Sequence, residues 1–277
     1  MSLLTTTPAP AGGLKSRLLE PFFPLILLAA LLYHGLVGAI LLQVRAATLD
    51  LKPWKLLSPW AWRDAVLAHG FPIILEGSDK TWKEVKDELI RANASGKVLE
   101  VGAGSGMTLK YYDTDKVTSL TLLEPFASLH APLRRAASQL ALRKDRVHIL
   151  PFGIQEREEL RKQGVKQRGY DTILLVQVLC SIPEPKSHLE YLQSLLAPGG
   201  KLLLFEHVLS GSTLTRLEQY AWTYTMWRFV ANGCCLDRAS GEWVRDIGGW
   251  KDVRLMRPKD ENSAALVPHA VGIFTKA

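Results

Sequence analysis

Three rhythms of apolar and polar positions divide this chain of 277 residues. Residues 22–42 form an apolar run without a single charge. At about 1.5 Å per residue a helix of that length reaches across the hydrocarbon core of a bilayer. Pro21 suits its first turn, where a missing N–H costs little. Pro24, His34, Gly35 and Gly38 interrupt the run, and they equally suit a kinked segment lodged in one leaflet. Spanning and monotopic geometries therefore both stand. The next stretch is mixed: Trp54, Trp60 and Trp62 lie beside Lys52, Lys55 and Arg63, with Pro53 and Pro59 between them. Indole rings next to basic residues suit a membrane–water interface. Beyond Ser78 short apolar runs alternate with amphipathic stretches. Strands are predicted at 98–101, 118–123, 147–150, 172–178, 201–205, 252–256 and 269–274. Helices are predicted from a cap at Ser78 or Asp79 to about Ala92, and over 127–142, 156–166 and 186–196. This alternation predicts an α/β domain with a doubly wound, mostly parallel sheet. The chain then divides into a flexible Thr-, Pro-, Ala- and Gly-rich tail (1–21), a membrane anchor (22–44), a juxtamembrane linker (45–77) and the α/β domain (78–277).

Charge narrows the picture. The formal net charge of +7 suits an anionic membrane surface or a nucleic acid. No long Lys/Arg block and no zinc-finger or RNA-binding signature occurs, so membrane lipid is the expected partner and nucleic acid is not. Arg45, Lys52, Lys55 and Arg63 outnumber Lys15 and Arg17 across the anchor, which places the large domain in the cytosol. Cys180, Cys234 and Cys235 are too few for a disulfide framework and fit a reducing compartment. No Cys-x-x-Cys or Cys/His spacing indicates a zinc site, and no metal is expected.

The stretch with the most chemistry is Lys97 to Gly106, which reads Lys-Val-Leu-Glu-Val-Gly-Ala-Gly-Ser-Gly. A buried strand runs into a turn with glycine at 102, 104 and 106, where backbone free of side chains can meet a ligand. A dinucleotide fingerprint needs a further glycine at 107, where Met107 stands. Glu100 would repel a pyrophosphate and suits a ligand bearing an ammonium group. Glu124, followed by Pro125, closes the second strand twenty residues after Gly104, the position from which a carboxylate holds ribose hydroxyls. After the third strand come Phe152, Gly153, Ile154 and Gln155. Phe152 or Ile154 offers an apolar wall for a base and Gln155 a hydrogen bond. Gln177, near the end of the fourth strand, completes the candidate cofactor residues. Glu206 and His207 end the fifth strand, at the carboxyl edge where parallel sheets bind ligands. A histidine there suits a proton acceptor, with Glu206 to orient it.

The acidic-x-Gly-x-Gly-x-Gly pattern resembles the first motif of Rossmann-like S-adenosylmethionine (SAM) methyltransferases. More specific pieces, Val178-Leu179-Cys180-Ser181, Pro198-Gly199-Gly200, Glu206-His207-Val208, Gly233-Cys234-Cys235-Leu236 and Pro268-His269, resemble the membrane-anchored thiol S-methyltransferases. Ala103 and the 152–155 loop depart from that family's usual residues. The resemblance implies SAM as cofactor and a seven-stranded sheet with an antiparallel last strand. It also implies a small lipophilic acceptor, most simply a thiol, and an endoplasmic reticulum or lipid-droplet membrane. The Gly102–Gly106 turn with Glu100, and Glu124 at the ribose, take their roles from it. A lipid, a quinone or a metalloid held by the three cysteines is an alternative acceptor, and a non-catalytic membrane scaffold is an alternative class. Trp222, Tyr224, Trp227 and Phe229 suit the lining of a greasy acceptor pocket.

Overall fold

The computed structural model describes residues 3–277. Eight strands form one sheet: β1 (Leu4–Thr5), β2 (Gly96–Val101), β3 (Val117–Leu123), β4 (Val147–Leu150), β5 (Tyr170–Val176), β6 (Leu196–His207), β7 (Trp250–Pro258) and β8 (His269–Lys276). Their order is β1-β7-β8-β6-β5-β2-β3-β4. The five strands β2 to β6 run parallel, and β8 is antiparallel to both β6 and β7. The apolar runs explain the layering: Val98, Leu99, Leu122, Ile173, Leu174 and Leu203 are fully buried, as strands covered on both faces must be. One face carries α4 (Lys83–Asn93) and α5 (Ala127–Ala137), through Val85, Leu89, Ile90 and Leu133. The other carries α6 (Arg157–Lys162), α7 (Lys186–Leu195) and α10 (Ser240–Asp246), through Leu160, Leu189, Leu192 and Val244. The chain leaves β2 toward β3 on one side, while β5 flanks it on the other. This reversal opens a crevice beyond the carboxyl ends of β2 and β5, the ligand position of such sheets.

The N-terminal region differs from its sequence reading. The expected flexible tail is tied down: β1 pairs with β7, Arg257 donates to the carbonyls of Thr7 and Pro8, and Ser263 N–H donates to Pro10 O. A two-residue edge strand leaves no periodic signal. After α1 (Leu14–Leu19), α2 (Phe23–Thr48) carries the apolar run. The expected linker is largely helix, α3 (Pro59–Thr81), with Pro59 in its first turn and Ser58 accepting from Ala61 N–H as its cap. It packs antiparallel along α2 through small residues. A Cβ at Gly35 would lie 2.5 Å from Val66 O, and one at Gly70 would lie 2.8 Å from Leu31 O. Asp79 begins no helix; α3 runs past it, and its buried carboxylate receives Lys86, Lys110 and the Tyr111 hydroxyl. That ion cluster fastens the end of α3 to α4 and to the segment after the glycine turn.

Beyond the carboxyl edge of the sheet lies a helical cap. It comprises α8 (Thr213–Trp222), a π-helical turn (Thr223–Trp227) and α9 (Arg228–Val230). Leu27 and Leu31 of α2 pack here with Cys180, Trp227, Val230, Cys234, Leu236 and Leu266. Trp222 Nε1 donates to Pro21 O. The apolar helix is therefore built onto the end of the sheet that faces the crevice.

Candidate active site

The glycine turn leaves β2 as the sequence requires, and its three glycines all have positive φ, between 58° and 86°. Two of them are closed in by protein. A Cβ at Gly102 would meet Val178 Cγ2 at 2.4 Å, and one at Gly106 would meet Ala136 Cβ at 2.8 Å. At Gly104 a Cβ would meet nothing within 4 Å, so this is where the backbone opens onto free space. Gly104 N–H donates to Glu124 Oε2 at 2.8 Å, and Phe126 N–H donates to Glu124 Oε1 at 2.9 Å. The carboxylate at the end of β3 thus fixes the turn, and each oxygen retains acceptor capacity. Burial raises the Glu124 pKa, with the Phe126 and Gly104 N–H groups partly offsetting it. Phe126 is exposed beside this carboxylate. Sequence reasoning passed over it; the signal was an apolar ring directly after an acid–proline strand end.

Glu100, expected to meet a cationic ligand, has both carboxylate oxygens on protein hydroxyls. It is 1% exposed and its oxygens take the Thr108 hydroxyl and, at 2.9 Å, the Tyr112 hydroxyl. Burial raises its pKa to about 7, against the lowering effect of the two hydroxyls. It also raises the Tyr112 pKa, where the Glu100 charge adds to it. A carboxyl whose folded pKa exceeds its unfolded value near 4.5 favours the folded state at low pH. That advantage is lost as pH rises from about 4.5 to 7, and the loss amounts to about 3 kcal/mol. Glu100→Gln should remove this slope. Denaturant titrations should show the variant gaining stability over wild type between pH 5 and 8; parallel profiles would contradict the buried-acid account.

In the loop after β4, Phe152 is half-buried against the core and Ile154 is completely buried. Ile154 is therefore unavailable as a wall for a base, because its side chain fills the layer under β4. Gly153 N–H donates to Glu156 Oε2 at 2.7 Å, and Gln155 is exposed with its amide folded over Gly153. Pro125 is exposed at the crevice rim. Gln177 adopts φ 51°, an uncommon left-handed conformation, with its N–H donating to Phe205 O at 2.8 Å.

Glu206 and His207 occupy the expected edge but are turned inward. Glu206 Oε1 accepts from Val178 N–H at 2.7 Å and Leu179 N–H at 3.0 Å, pinning the loop after β5. Burial raises the Glu206 pKa, with these two N–H groups offsetting part of it. It does not orient His207 through a hydrogen bond. His207 Nε2 instead meets Cys234 Sγ at 2.9 Å. Burial pulls the His207 pKa down, and the Cys180 sulfur and Glu206 carboxylate more than offset this, leaving it raised. Cys234 and burial push the Cys180 thiol up. The ligating atoms of Cys180, His207 and Cys234 lie within 4.8 Å of one another. Cys235 stays apart, its sulfur near Gly233 O. His269 faces His207 across the β6–β8 ladder, but its ring is held by Glu261 and stacked on Phe205. Of the cap aromatics, Trp227 is buried with its Nε1 on Cys234 Sγ, while Tyr224 and Phe229 are exposed.

A doubly wound sheet with this glycine turn and a carboxylate at the next strand end defines the class: a SAM-dependent methyltransferase. A family model for the methyltransferase domain matches residues 76–244, and the chain belongs to that family. It is similar to human thiol S-methyltransferase TMT1B, with 28% identity over 238 residues, 79% of this chain and 86% of that protein. It is also similar to the tRNA U34 carboxymethyltransferase of Aeromonas hydrophila, with 30% identity over 208 residues, 74% of this chain and 58% of that one. In fold it is similar to an O-methyltransferase family protein from Burkholderia thailandensis, with a TM-score of 0.54 at 15% identity over 80% of this chain and 61% of that chain. SAM is its cofactor, and its activity is methyl transfer.

Proposed function

We propose that the chain methylates small lipophilic thiols at a membrane surface. The observation that carries this reading is the packing of Leu27 and Leu31 of the apolar helix onto the cap at the acceptor end of the sheet. An acceptor dissolved in lipid then reaches the crevice without crossing water. The similarity to a thiol S-methyltransferase along most of both chains supports the choice of sulfur.

The Gly102–Gly106 turn would hold SAM, with Gly104 as the backbone contact, and Glu124 would receive the ribose hydroxyls at its remaining acceptor positions. Phe126 and Phe152 flank the base, Pro125 and Gly153 shape the rim, and Gln155 and Gln177 supply polar contacts. Glu100 supports the turn from beneath through Thr108 and Tyr112. Bound there, SAM would supply an electrophilic methyl group to the acceptor thiolate and depart as a neutral thioether. A negative nucleophile meets a positive sulfonium, so charge is neutralised in the transition state and an apolar, water-poor site favours it. Alignment supplies the rest, for which about 7–11 kcal/mol is attainable. Glu206 and His207 act here as positioning residues for the loop after β5 and for the cap, in place of the expected acid–base pair. Cys235 lies outside the sulfur cluster, so the structure offers a metalloid only two of the three sulfurs expected to hold it.

The membrane contact is monotopic in this reading. Among the described residues one helical stretch, Leu14–Thr48, is long and apolar enough to cross a bilayer by length and composition. Its outer face exposes Leu25, Ile26, Val37 and Leu41, while its inner stripe packs on α3. Running α2 through the bilayer would carry α3 with it and draw into lipid the cap that packs on Leu27 and Leu31, at the cost of desolvating its polar groups. Lying in one leaflet avoids that cost. The test uses carbonate-washed membranes, labelled SAM and a panel of alkyl thiols, phenols, amines, lipids and tRNA. Thiols should be methylated, with kcat/KM rising about fourfold per added methylene as the chain is buried. Methylation of no thiol removes the acceptor assignment, and activity lost into the carbonate wash removes the membrane assignment.

A further inference from the structure

The structure assigns a zinc site to Cys180, His207 and Cys234, at the junction of the sheet edge and the cap. The three residues sit on separate segments: the loop after β5, the last residue of β6 and the stretch after α9. All three are buried, at 3%, 5% and 8% exposure, and their ligating atoms lie within 4.8 Å of one another. Zinc takes thiolates at about 2.3 Å and imidazoles at about 2.0 Å, so tetrahedral donors stand about 3.5–3.8 Å apart. The present cluster reaches that geometry by sub-ångström movements. His207 Nε2 and Cys234 Sγ, now 2.9 Å apart in a hydrogen bond, separate slightly as the cation takes the place of the shared proton.

Three further points favour a metal over packed cysteines. Trp227 Nε1 donates to Cys234 Sγ at 3.2 Å, a contact suited to a charged sulfur. The ligand-bearing segments are already fixed to each other: Cys235 N–H donates to Cys180 O at 2.9 Å, and Arg238 holds the carbonyls of Leu179 and Ile182. Charge selects the ion. Two thiolates and a neutral imidazole balance a divalent cation, so the filled site is neutral in a water-poor interior, and the mixed sulfur–nitrogen set suits zinc. Binding releases the two thiol protons to solvent. Three protein ligands leave a fourth position open.

The inference does not depend on which acceptor is methylated, because occupancy is read without turnover. Full-length protein purified in detergent, loaded with zinc and desalted, should carry about one zinc per chain. Cobalt(II) in its place should give thiolate charge-transfer absorption and intense tetrahedral bands. Zinc should protect Cys180 and Cys234, but not Cys235, from alkylation as mapped by mass spectrometry. Cys180→Ser and Cys234→Ser should lose the metal while retaining SAM binding as a check on folding, and Cys235→Ser should keep it. A wild-type chain that retains no zinc overturns the site. So does equal alkylation of all three thiols with and without zinc, or a Cys180–Cys234 disulfide recovered in place of the metal. The alkylation arm needs no variant and decides the matter even if the serine substitutions fail to fold.

Discussion

Gly104→Leu should give a folded chain that binds no SAM. The three glycines of the turn look alike in sequence, yet the structure separates them. Gly102 and Gly106 are pressed against Val178 and Ala136, whereas a side chain at Gly104 enters open space. A leucine there strains a backbone at φ +58°, at a cost of about 1–2 kcal/mol to the fold. It breaks no packing, and it fills the place where the cofactor backbone contact is proposed. Gly106→Leu is the contrasting variant, since its Cβ would meet Ala136 and its side chain would press on Leu109 and Leu133. That change should lower the melting temperature sharply. Calorimetry should detect no SAM binding to the Gly104→Leu chain at concentrations that saturate wild type. Undiminished affinity in that variant would move the cofactor elsewhere. Equal loss of stability in both variants would make the turn structural only.

The distinction among these glycines shows where sequence reading ends. Apolar runs and glycine punctuation placed strands β2 to β8, because a strand buried on both faces must be apolar and a turn with positive φ favours glycine. The same rules located Glu124, which a strand end fixes by position alone. They could not say which way Glu100 points. Its acidity suggested a cationic ligand, while its neighbours Thr108 and Tyr112 come from the segment after the turn. Nor could they show that His207 meets Cys234. Twenty-seven residues separate them in sequence, and only the adjacency of β5 and β6 brings Cys180 to the same point. Ligand spacing in a motif is a local signal, and this cluster is assembled by sheet order. The stretch of α3 reads as linker because Trp54, Trp60 and Trp62 stand beside basic residues and Pro53 and Pro59 interrupt it. Pro59 sits in the first turn of the helix, and Pro72 lies inside a helix whose packing α2 supplies. The two-residue β1 had no pattern to read.

Those last two corrections set the expected effect of removing residues 1–42. A detachable anchor would leave a soluble, SAM-binding domain behind. Here the deletion takes β1 from the sheet edge, the Glu20 carboxylate from Leu266 N–H, the Pro21 carbonyl from Trp222 Nε1, and most of α2 from α3. Leu4, Leu27 and Leu31, all less than 10% exposed, leave the core with it. At about 1.5–3 kcal/mol for each buried leucine, the loss is roughly 5–9 kcal/mol, comparable with the whole stability of an ordinary domain. It also uncovers Trp227, Val230, Leu236 and Leu266 at the acceptor end of the sheet. The truncated chain should therefore lose its cooperative melting transition and its SAM binding together, even in detergent. Removing residues 1–12 alone, which takes β1 and spares α2, should lower the melting temperature while leaving SAM affinity nearly unchanged, because the sheet edge at β7 lies far from the glycine turn. A 1–42 deletion that melts cooperatively at the wild-type temperature and binds SAM normally would show that the apolar helix is only an anchor. Collapse of that deletion alongside survival of the shorter one would show that the membrane helix is part of the acceptor end of the enzyme.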